Sequence, residues 1–175
     1  MTQNDKPSFH SVGMAVLTVS DTRTVETDKS GQYLCEQLQD LGHALIDYQI
    51  QPDEINKLQA VVKTWVNNEA ISVILITGGT GITGRDVTPE AIEPLLSKAI
   101  PGFGELFRVL SYETIGTSTI QSRAFAGVAE ETLVFGLPGS TGACKDAWTG
   151  ILVHQLDNRT RPCNFIELLP RLGER

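Results

Sequence analysis

The sequence has little cysteine and no long apolar run, and both absences narrow the class of protein. Its three cysteines are an odd number at long spacings with no C-x-x-C pair, so a disulfide framework or a thiolate zinc site is not expected. No apolar run approaches the roughly 20 residues that a membrane helix needs. The polar first ten residues lack the apolar core of a secretory signal. We therefore expect a reduced, cytoplasmic protein with no membrane partner.

The sequence also lacks an excess of basic residues. Fourteen Lys and Arg stand against 21 Asp and Glu, a net charge of −7, whereas binding to a nucleic-acid backbone requires a basic face. We expect no nucleic-acid partner, although a few backbone N–H groups and one arginine can still hold a small anion. The histidines at positions 10, 43 and 154 are scattered, and no triad or metal cluster is indicated by their positions.

Short apolar runs alternate with helical periodicity along most of the 175 residues, a length that suits one domain. The strongest strand signal is at 71–76, and strands are also predicted at 14–19 and 44–50, with a hairpin or a bulged strand pair at 124–135. This alternation predicts an α/β sandwich with a mostly parallel sheet. We assign a flexible tail to 1–12, a single domain to 13–165 and a C-terminal tail to 166–175. The basic, proline-bearing end from residue 159 is expected to lie over the surface or against a neighbouring subunit.

Helix starts are predicted from capping residues and prolines. Ser30 is expected to cap the first helix, and Thr88 to cap another whose first helical residue is Pro89. A helix from Glu54 follows Pro52-Asp53, and Asp53 is itself a favoured capping residue. Pro101-Gly102 is expected to interrupt the chain before a helix from 103 to 112, and a last helix extends to Leu156.

Ligands of such sheets bind beyond the carboxyl ends of the parallel strands. Three loops are expected to gather there, at 20–27, 51–54 and 77–88. The last contains Gly79-Thr-Gly-Ile-Thr-Gly84, a formal G-x-G-x-x-G dinucleotide motif. Three features weaken that interpretation. The loop follows the third strand and not the first, and the next helix is predicted to begin only at Thr88. No strand that ends in an acidic residue follows about 20 residues later. A phosphate-binding Walker A loop is excluded, because no Gly-Lys-Ser/Thr follows the glycines.

The glycine loop still has features of an anion site. Glycines allow close approach of a ligand, and consecutive N–H groups can form a cradle. Arg85 could bind a phosphate and Asp86 could bind Mg²⁺, although a tight turn in which Asp86 bonds its own backbone is the alternative. Arg123, after Ser122, could contact an anion or form a surface ion pair. The segment 138–140 could close a pocket or only cap the last helix.

Five motifs in one order give the sequence a family resemblance. They are TGGTG at 77–81, RDVTPEA at 85–91, PGFGE at 101–105, SRA at 122–124 and LPGS at 137–140. Together they resemble the molybdopterin-binding domain of molybdenum cofactor biosynthesis proteins, over about residues 14–165. The short length and the ending at 159–165 are most similar to the B branch of that family.

The resemblance implies a three-layer α/β sandwich, a homotrimer or homohexamer, and molybdopterin as ligand. It implies adenylylation of molybdopterin with MgATP, a nucleotidyltransferase reaction in which Asp53 and Asp86 are catalytic and bind Mg²⁺. Other proteins of the same pathway are further possible partners. The molybdopterin phosphate would be bound by Thr77, Gly78, Gly79, Thr80, Gly81, Arg85, Ser122 and Arg123. The nucleotide would be bound by Ser20, Asp21, Pro138, Gly139 and Ser140.

Two other functions stay open from the sequence. A non-catalytic molybdopterin carrier fits the similarity to the B branch, whereas the two retained aspartates favour the transferase. A dinucleotide-dependent oxidoreductase is the third hypothesis, and it depends on the glycine motif alone.

Overall fold

A six-stranded mixed sheet forms the centre of the protein, whose computed structural model describes residues 7–174. The strands lie in the order β2-β1-β3-β6-β5-β4. The first four strands in this order, β2, β1, β3 and β6, are parallel to one another. The next strand, β5, is antiparallel to both of its neighbours, β6 and β4. The predicted α/β class and mostly parallel sheet are confirmed. The strand bounds are β1 Gly13–Val19, β2 Ala44–Gln51, β3 Val73–Thr77, β4 Lys98–Ala99, β5 Phe125–Ala129 and β6 Thr132–Leu137.

Seven helices connect and cover these strands in the described chain. They are α1 Lys29–Leu41, α2 Ile55–Val66, α3 Thr88–Ile92, α4 Pro101–Ile115, α5 Thr141–Ala147, α6 Val153–Gln155 and α7 Phe165–Leu168. A π-helical turn at Trp148–Leu152 joins α5 to α6. The last predicted helix is therefore present as three consecutive helical segments without a break. The predicted polar loop after α4 is a 3₁₀ helix, Gly116–Gln121.

The central strands are apolar on both faces, and this explains the three layers. Along β1, Met14 and Val16 pack into one core while Ala15 and Leu17 pack into the other. Successive side chains of a strand point to opposite faces, so a strand covered on both sides becomes a continuous apolar run. One core includes α1, α4 and α5, and the other includes α2 and α3.

Three of the predicted helix starts were wrong. Asp28, and not Ser30, caps α1 by accepting a hydrogen bond from the Gly31 N–H at 3.0 Å. Thr88 is the first residue of α3 and makes no cap, since its hydroxyl donates to the Gly78 carbonyl at 2.8 Å. Pro101 begins α4 instead of interrupting the chain, which suits a residue with fixed φ and no N–H.

Described residues near both ends of the chain contact the rest of the domain. The His10 N–H donates to Asn158 Oδ1 at 2.8 Å, and Asn158 Nδ2 donates to the Ser8 carbonyl at 2.9 Å. Near the other end, Ile166 of α7 is buried in the core. Residues 1–6 of the predicted tail lie outside the described residues. None of the described helices is both long and apolar enough to cross a membrane.

Candidate functional site

A cleft of about 520 Å³ opens at the carboxyl ends of the parallel strands. The loops after β1, β2, β3 and β6 meet there, because neighbouring parallel strands end at the same edge of a sheet. All three loops expected from the sequence contribute, and the loop after β6 joins them. The lining residues are Val19, Ser20, Arg23, Asp53, Thr77, Gly78, Gly79, Thr80, Gly81, Arg85, Asp86, Pro138, Gly139 and Ser140.

The glycine loop turns sharply at Gly78 and Gly79, whose φ angles are +109° and +63°. A Cβ on Gly78 would lie 2.2 Å from the Val19 carbonyl oxygen, so the loop crosses the end of β1 in contact with its backbone. The Gly78 N–H donates to the Leu137 carbonyl at 3.0 Å, and the Thr77 hydroxyl donates to the Pro138 carbonyl at 2.9 Å. Both groups therefore hold the loop against β6 and are not free for a ligand.

Two carboxylates are seated against two glycines of this loop. A Cβ on Gly79 would come within 2.8 Å of Asp53 Oδ1, and a Cβ on Gly81 would come within 2.8 Å of Asp86 Oδ2. The glycines thus leave the space that the carboxylates occupy. Asp53 does not cap α2, whose first turn has no side-chain cap. The capping role weighed for Asp53 from the sequence is wrong.

Asp86 also orders its own loop. Its Oδ2 accepts hydrogen bonds from the Thr83 N–H at 2.8 Å and the Thr83 hydroxyl at 2.6 Å. The local turn considered from the sequence is therefore present. The carboxylate nevertheless lines the cleft, so the turn and a ligand role are compatible.

An exposed ion pair stands beside the cleft. Asp21 Oδ2 accepts hydrogen bonds from Arg85 Nε at 3.0 Å and Arg85 Nη2 at 2.5 Å. Asp21 Oδ1 accepts from the Asp53 N–H at 3.3 Å. Asp21 therefore ties the loops after β1, β2 and β3 together, although it is not itself among the lining residues.

The local charges shift the three carboxyl groups in different directions. The hydrogen bonds from Arg85 lower the pKa of Asp21. Burial, followed by the charge of Asp21, raises the pKa of Asp53 above its ordinary value. Partial burial acts to raise the pKa of Asp86, but the hydrogen bonds from Thr83 outweigh it and its pKa lies below the ordinary value. The surroundings of Asp53 thus disfavour its ionised form, and a nearby cation would favour it.

Ser122 and Arg123 lie outside this cleft. Arg123 Nε donates to the Gly81 carbonyl at 2.7 Å, its Nη2 donates to the Asp86 carbonyl at 2.9 Å, and its Nη1 pairs with Glu90. The guanidinium therefore stabilises the glycine loop by binding two of its backbone carbonyls from outside the cleft, and we call this contact a brace. Ser122 and Arg123 border a second cavity of about 550 Å³ with the start of α4.

The loop after β6 combines the two roles weighed for it. Ser140 caps α5 by accepting from the Ala143 N–H at 3.2 Å, and it also lines the cleft. The Gly139 carbonyl accepts from the Ser30 hydroxyl and from Arg23 Nη2, each at 2.9 Å.

Arg23 is the lining residue with a functional group that sequence reasoning missed. It stands in the first predicted loop, three residues after Ser20, and a cation at that position was the available signal. The dinucleotide interpretation finds no support in the geometry, because α3 begins at Thr88 and not within the glycines. Within residues 7–174, no three His, Cys, Asp or Glu side chains are grouped to hold a metal ion.

Comparison with known proteins gives one consistent result. Residues 15–158 match the family described as a probable molybdopterin binding domain. Molybdenum cofactor biosynthesis protein B of Escherichia coli K12 is 52% identical over 152 residues, which cover 87% of this chain and 89% of that protein.

Two solved structures extend the similarity. A crystal structure of molybdenum cofactor biosynthesis protein B superposes with a TM-score of 0.86 at 40% identity, covering 97% of this chain and 100% of that one. The tungsten cofactor synthesizing protein MoaB from Pyrococcus furiosus has a TM-score of 0.77 at 34% identity, covering 94% and 98%.

Proposed function

The chain belongs to the family of molybdopterin-binding domains of molybdenum cofactor biosynthesis proteins, and we propose that it binds molybdopterin and adenylylates it with MgATP. One observation carries the proposal: Asp53 and Asp86 are seated against two glycines of the same loop, in one cleft. A loop with free amides beside paired carboxylates can hold a phosphate and the cation that neutralises it.

The loop offers donors for a phosphate oxygen. In the part of the chain that the structure describes, the N–H groups of Gly79 and Thr80 donate to no backbone acceptor. Arg85 stands beside them in an exposed pair with Asp21, and such a pair costs little to separate. We propose that these amides and Arg85 bind the terminal phosphate of molybdopterin.

The acidic side chains fit a hard cation. The cleft contains no thiolate or imidazole, and oxygen ligands suit Mg²⁺. Two carboxylates are enough, because Mg²⁺ keeps several waters and uses substrate phosphates as its other ligands. Asp53 and Asp86 would hold the ion, which supplies charge neutralisation at the nucleotide phosphates.

The proposed reaction is a nucleotidyl transfer without oxidation or reduction. A terminal phosphate oxygen of molybdopterin attacks the α-phosphorus of ATP. The new P–O bond forms as the bond from the α-phosphorus to the oxygen bridging the β-phosphorus breaks, and the electron pair leaves with pyrophosphate. Such reactions depend mainly on positioning and charge stabilisation. The loop amides position the attacking phosphate, while Ser20 and the loop after β6 form the nucleotide side of the cleft.

Asp86→Asn tests the metal role. The amide oxygen can still accept from Thr83, so the loop keeps its turn while the cleft loses one charge. We expect Mg²⁺-dependent pyrophosphate release to stop while molybdopterin still binds. Asp40→Asn is the matched control, because Asp40 is exposed at the end of α1, and it should keep full turnover. Unchanged turnover in Asp86→Asn would overturn the metal role.

The same assay tests the carrier hypothesis. If the unmodified protein binds molybdopterin and releases no pyrophosphate from MgATP, the chain carries or protects the ligand for another protein of the pathway. The retained Asp53, Asp86 and Arg85 favour the transferase. A cytoplasmic location stays a prediction.

We propose that the chain is a homo-oligomer that uses the outer face of α4. This face exposes a row of large apolar side chains: Leu106, Val109, Tyr112, Ile115 and, in the 3₁₀ helix that follows, Ile120. Large apolar side chains that are exposed close together are typical of surfaces used for association. Val109 is 63% exposed, so Val109→Glu should leave the fold intact and lower the mass measured by light scattering. An unchanged mass would exclude this face, and Val25→Glu, in the loop before α1, is the control.

A further inference from the structure

Arg23 stands at the edge of the cleft with its guanidinium fixed in place. Its Nη1 donates to Asp28 Oδ1 at 3.0 Å and its Nη2 donates to the Gly139 carbonyl at 2.9 Å. The side chain is 32% exposed and lines the cleft. A guanidinium has five N–H donors, so three have no acceptor in the described chain. Arg23 is therefore both oriented and available to an anion.

Asp28 anchors this arginine from inside the protein. Its side chain is fully buried, and it accepts from the Thr18 hydroxyl of β1 and the Tyr48 hydroxyl of β2, each at 2.5 Å. It also accepts from the Gly31 N–H of α1 at 3.0 Å. Burial acts to raise the pKa of Asp28, but these hydrogen bonds outweigh it and the pKa is lowered. Asp28 is thus an ionised buried group, and Arg23 is the cation that contacts it.

We infer that Arg23 binds the β- and γ-phosphates of the nucleotide, and that Asp28 and Tyr48 are residues that position it. This inference rests on the proposed function. Arg23 belongs to the wall formed by Ser20 and Gly139, on the side proposed for the nucleotide. Its counterion Asp28 is buried, whereas the guanidinium is partly exposed, lines the cleft and has N–H donors without an acceptor in the described chain. A pre-oriented guanidinium suits phosphate oxygens and the negative charge that develops on leaving pyrophosphate.

The contrast between the two arginines supports this assignment. Arg85 is exposed and paired with an exposed aspartate, so it can move with the loop after β3. Arg23 is attached to three elements of the core through Asp28. A fixed cation loses less conformational freedom when it binds, and this favours affinity.

The test measures binding of MgATP and AMP by titration calorimetry. Arg23→Gln alone would leave the buried Asp28 charge unpaired and would lower stability, so the main variant is Arg23→Gln/Asp28→Asn. An asparagine at position 28 can still accept from Gly31. We expect the double variant to weaken MgATP binding roughly tenfold or more, while AMP and molybdopterin bind as before. Arg171→Gln, at an exposed pair with Glu174, controls for the loss of a positive charge.

Tyr48→Phe tests the positioning role. It removes one hydrogen bond that holds Asp28, while the arginine and its charge are kept. We expect a smaller loss of MgATP affinity with no change for AMP, a selectivity that a general structural defect would not produce.

Any other result of these titrations overturns a specific part of the inference or of the proposed function. If the double variant binds MgATP like the parent, Arg23 does not contact the triphosphate, and the proposed function stands. Equal losses for MgATP and AMP would assign Arg23 to the α-phosphate or the nucleoside, against the inference. If the unmodified protein binds no MgATP, the transferase proposal fails and the inference fails with it.

Discussion

Gly79→Ala is the substitution whose cost follows most directly from the structure. Gly79 has a φ of +63°, and an added Cβ would lie 2.4 Å from Thr88 Oγ1 and 2.8 Å from Asp53 Oδ1. The left-handed backbone costs an alanine about 1–2 kcal/mol. Displacing the Thr88 hydroxyl from the Gly78 carbonyl costs a further 0.5–1.5 kcal/mol or so. We expect a loss of about 2–3 kcal/mol in the free energy of unfolding.

The assay is thermal unfolding followed by circular dichroism. For a chain of this size, a loss of that magnitude lowers Tm by roughly 4–12 °C. Gly84→Ala is the matched control in the same loop, because a Cβ there meets nothing within 4 Å. The displaced Asp53 should also reduce Mg²⁺-dependent pyrophosphate release. If Gly79→Ala and Gly84→Ala melt at the same temperature, the close packing deduced for this loop is refuted.

Two further predictions concern groups outside the cleft. His43 is buried between the Val12 N–H and the Leu156 carbonyl, and burial lowers its pKa. The unfolded chain then binds more protons, so this contribution to stability is present above a pH of about 6.5 and is lost as the pH falls below it. Denaturant midpoints at pH 7.5 and 5.5 should differ less in His43→Gln than in the exposed control His154→Gln; equal differences would contradict this. Arg123→Gln should accelerate amide hydrogen exchange at residues 81–86, since it removes the brace behind them; exchange as slow as in Arg171→Gln would count against the brace.

The gathering of the site was predictable from the sequence for a physical reason. Continuous apolar runs such as 14–19 and 71–76 indicate strands buried on both faces, and such strands are usually parallel. Parallel neighbours place the residues that follow them at one edge, so Ser20, Asp53 and Thr77 had to meet there. The local sequence pattern was sufficient to predict this meeting of loops, because apolarity on both faces can be recognised in each strand separately.

The braces of the site could not be predicted in this way. Arg123 reaches the Gly81 carbonyl across 42 positions of the chain, and Arg23 reaches the Gly139 carbonyl across 116. No local pattern encodes such distances, because they depend on how the loops pack. The cap at α1 was missed for a related reason. Ser30 and Asp28 are both favoured capping residues, and the contacts of Asp28 with Thr18 and Tyr48 select it.

The distribution of charge explains how a chain with a net charge of −7 could bind polyphosphates. Asp53 and Asp86 line the cleft, and each would repel a nucleotide by itself. The raised pKa of Asp53 reflects its burial and the charge of Asp21, and the charge of a divalent cation would oppose this rise. In the proposed complex, a cation would offset the charges of Asp53 and Asp86, so that Arg23 and the loop amides could contact phosphate oxygens. Under the proposed function, the cleft would therefore take the nucleotide together with its cation.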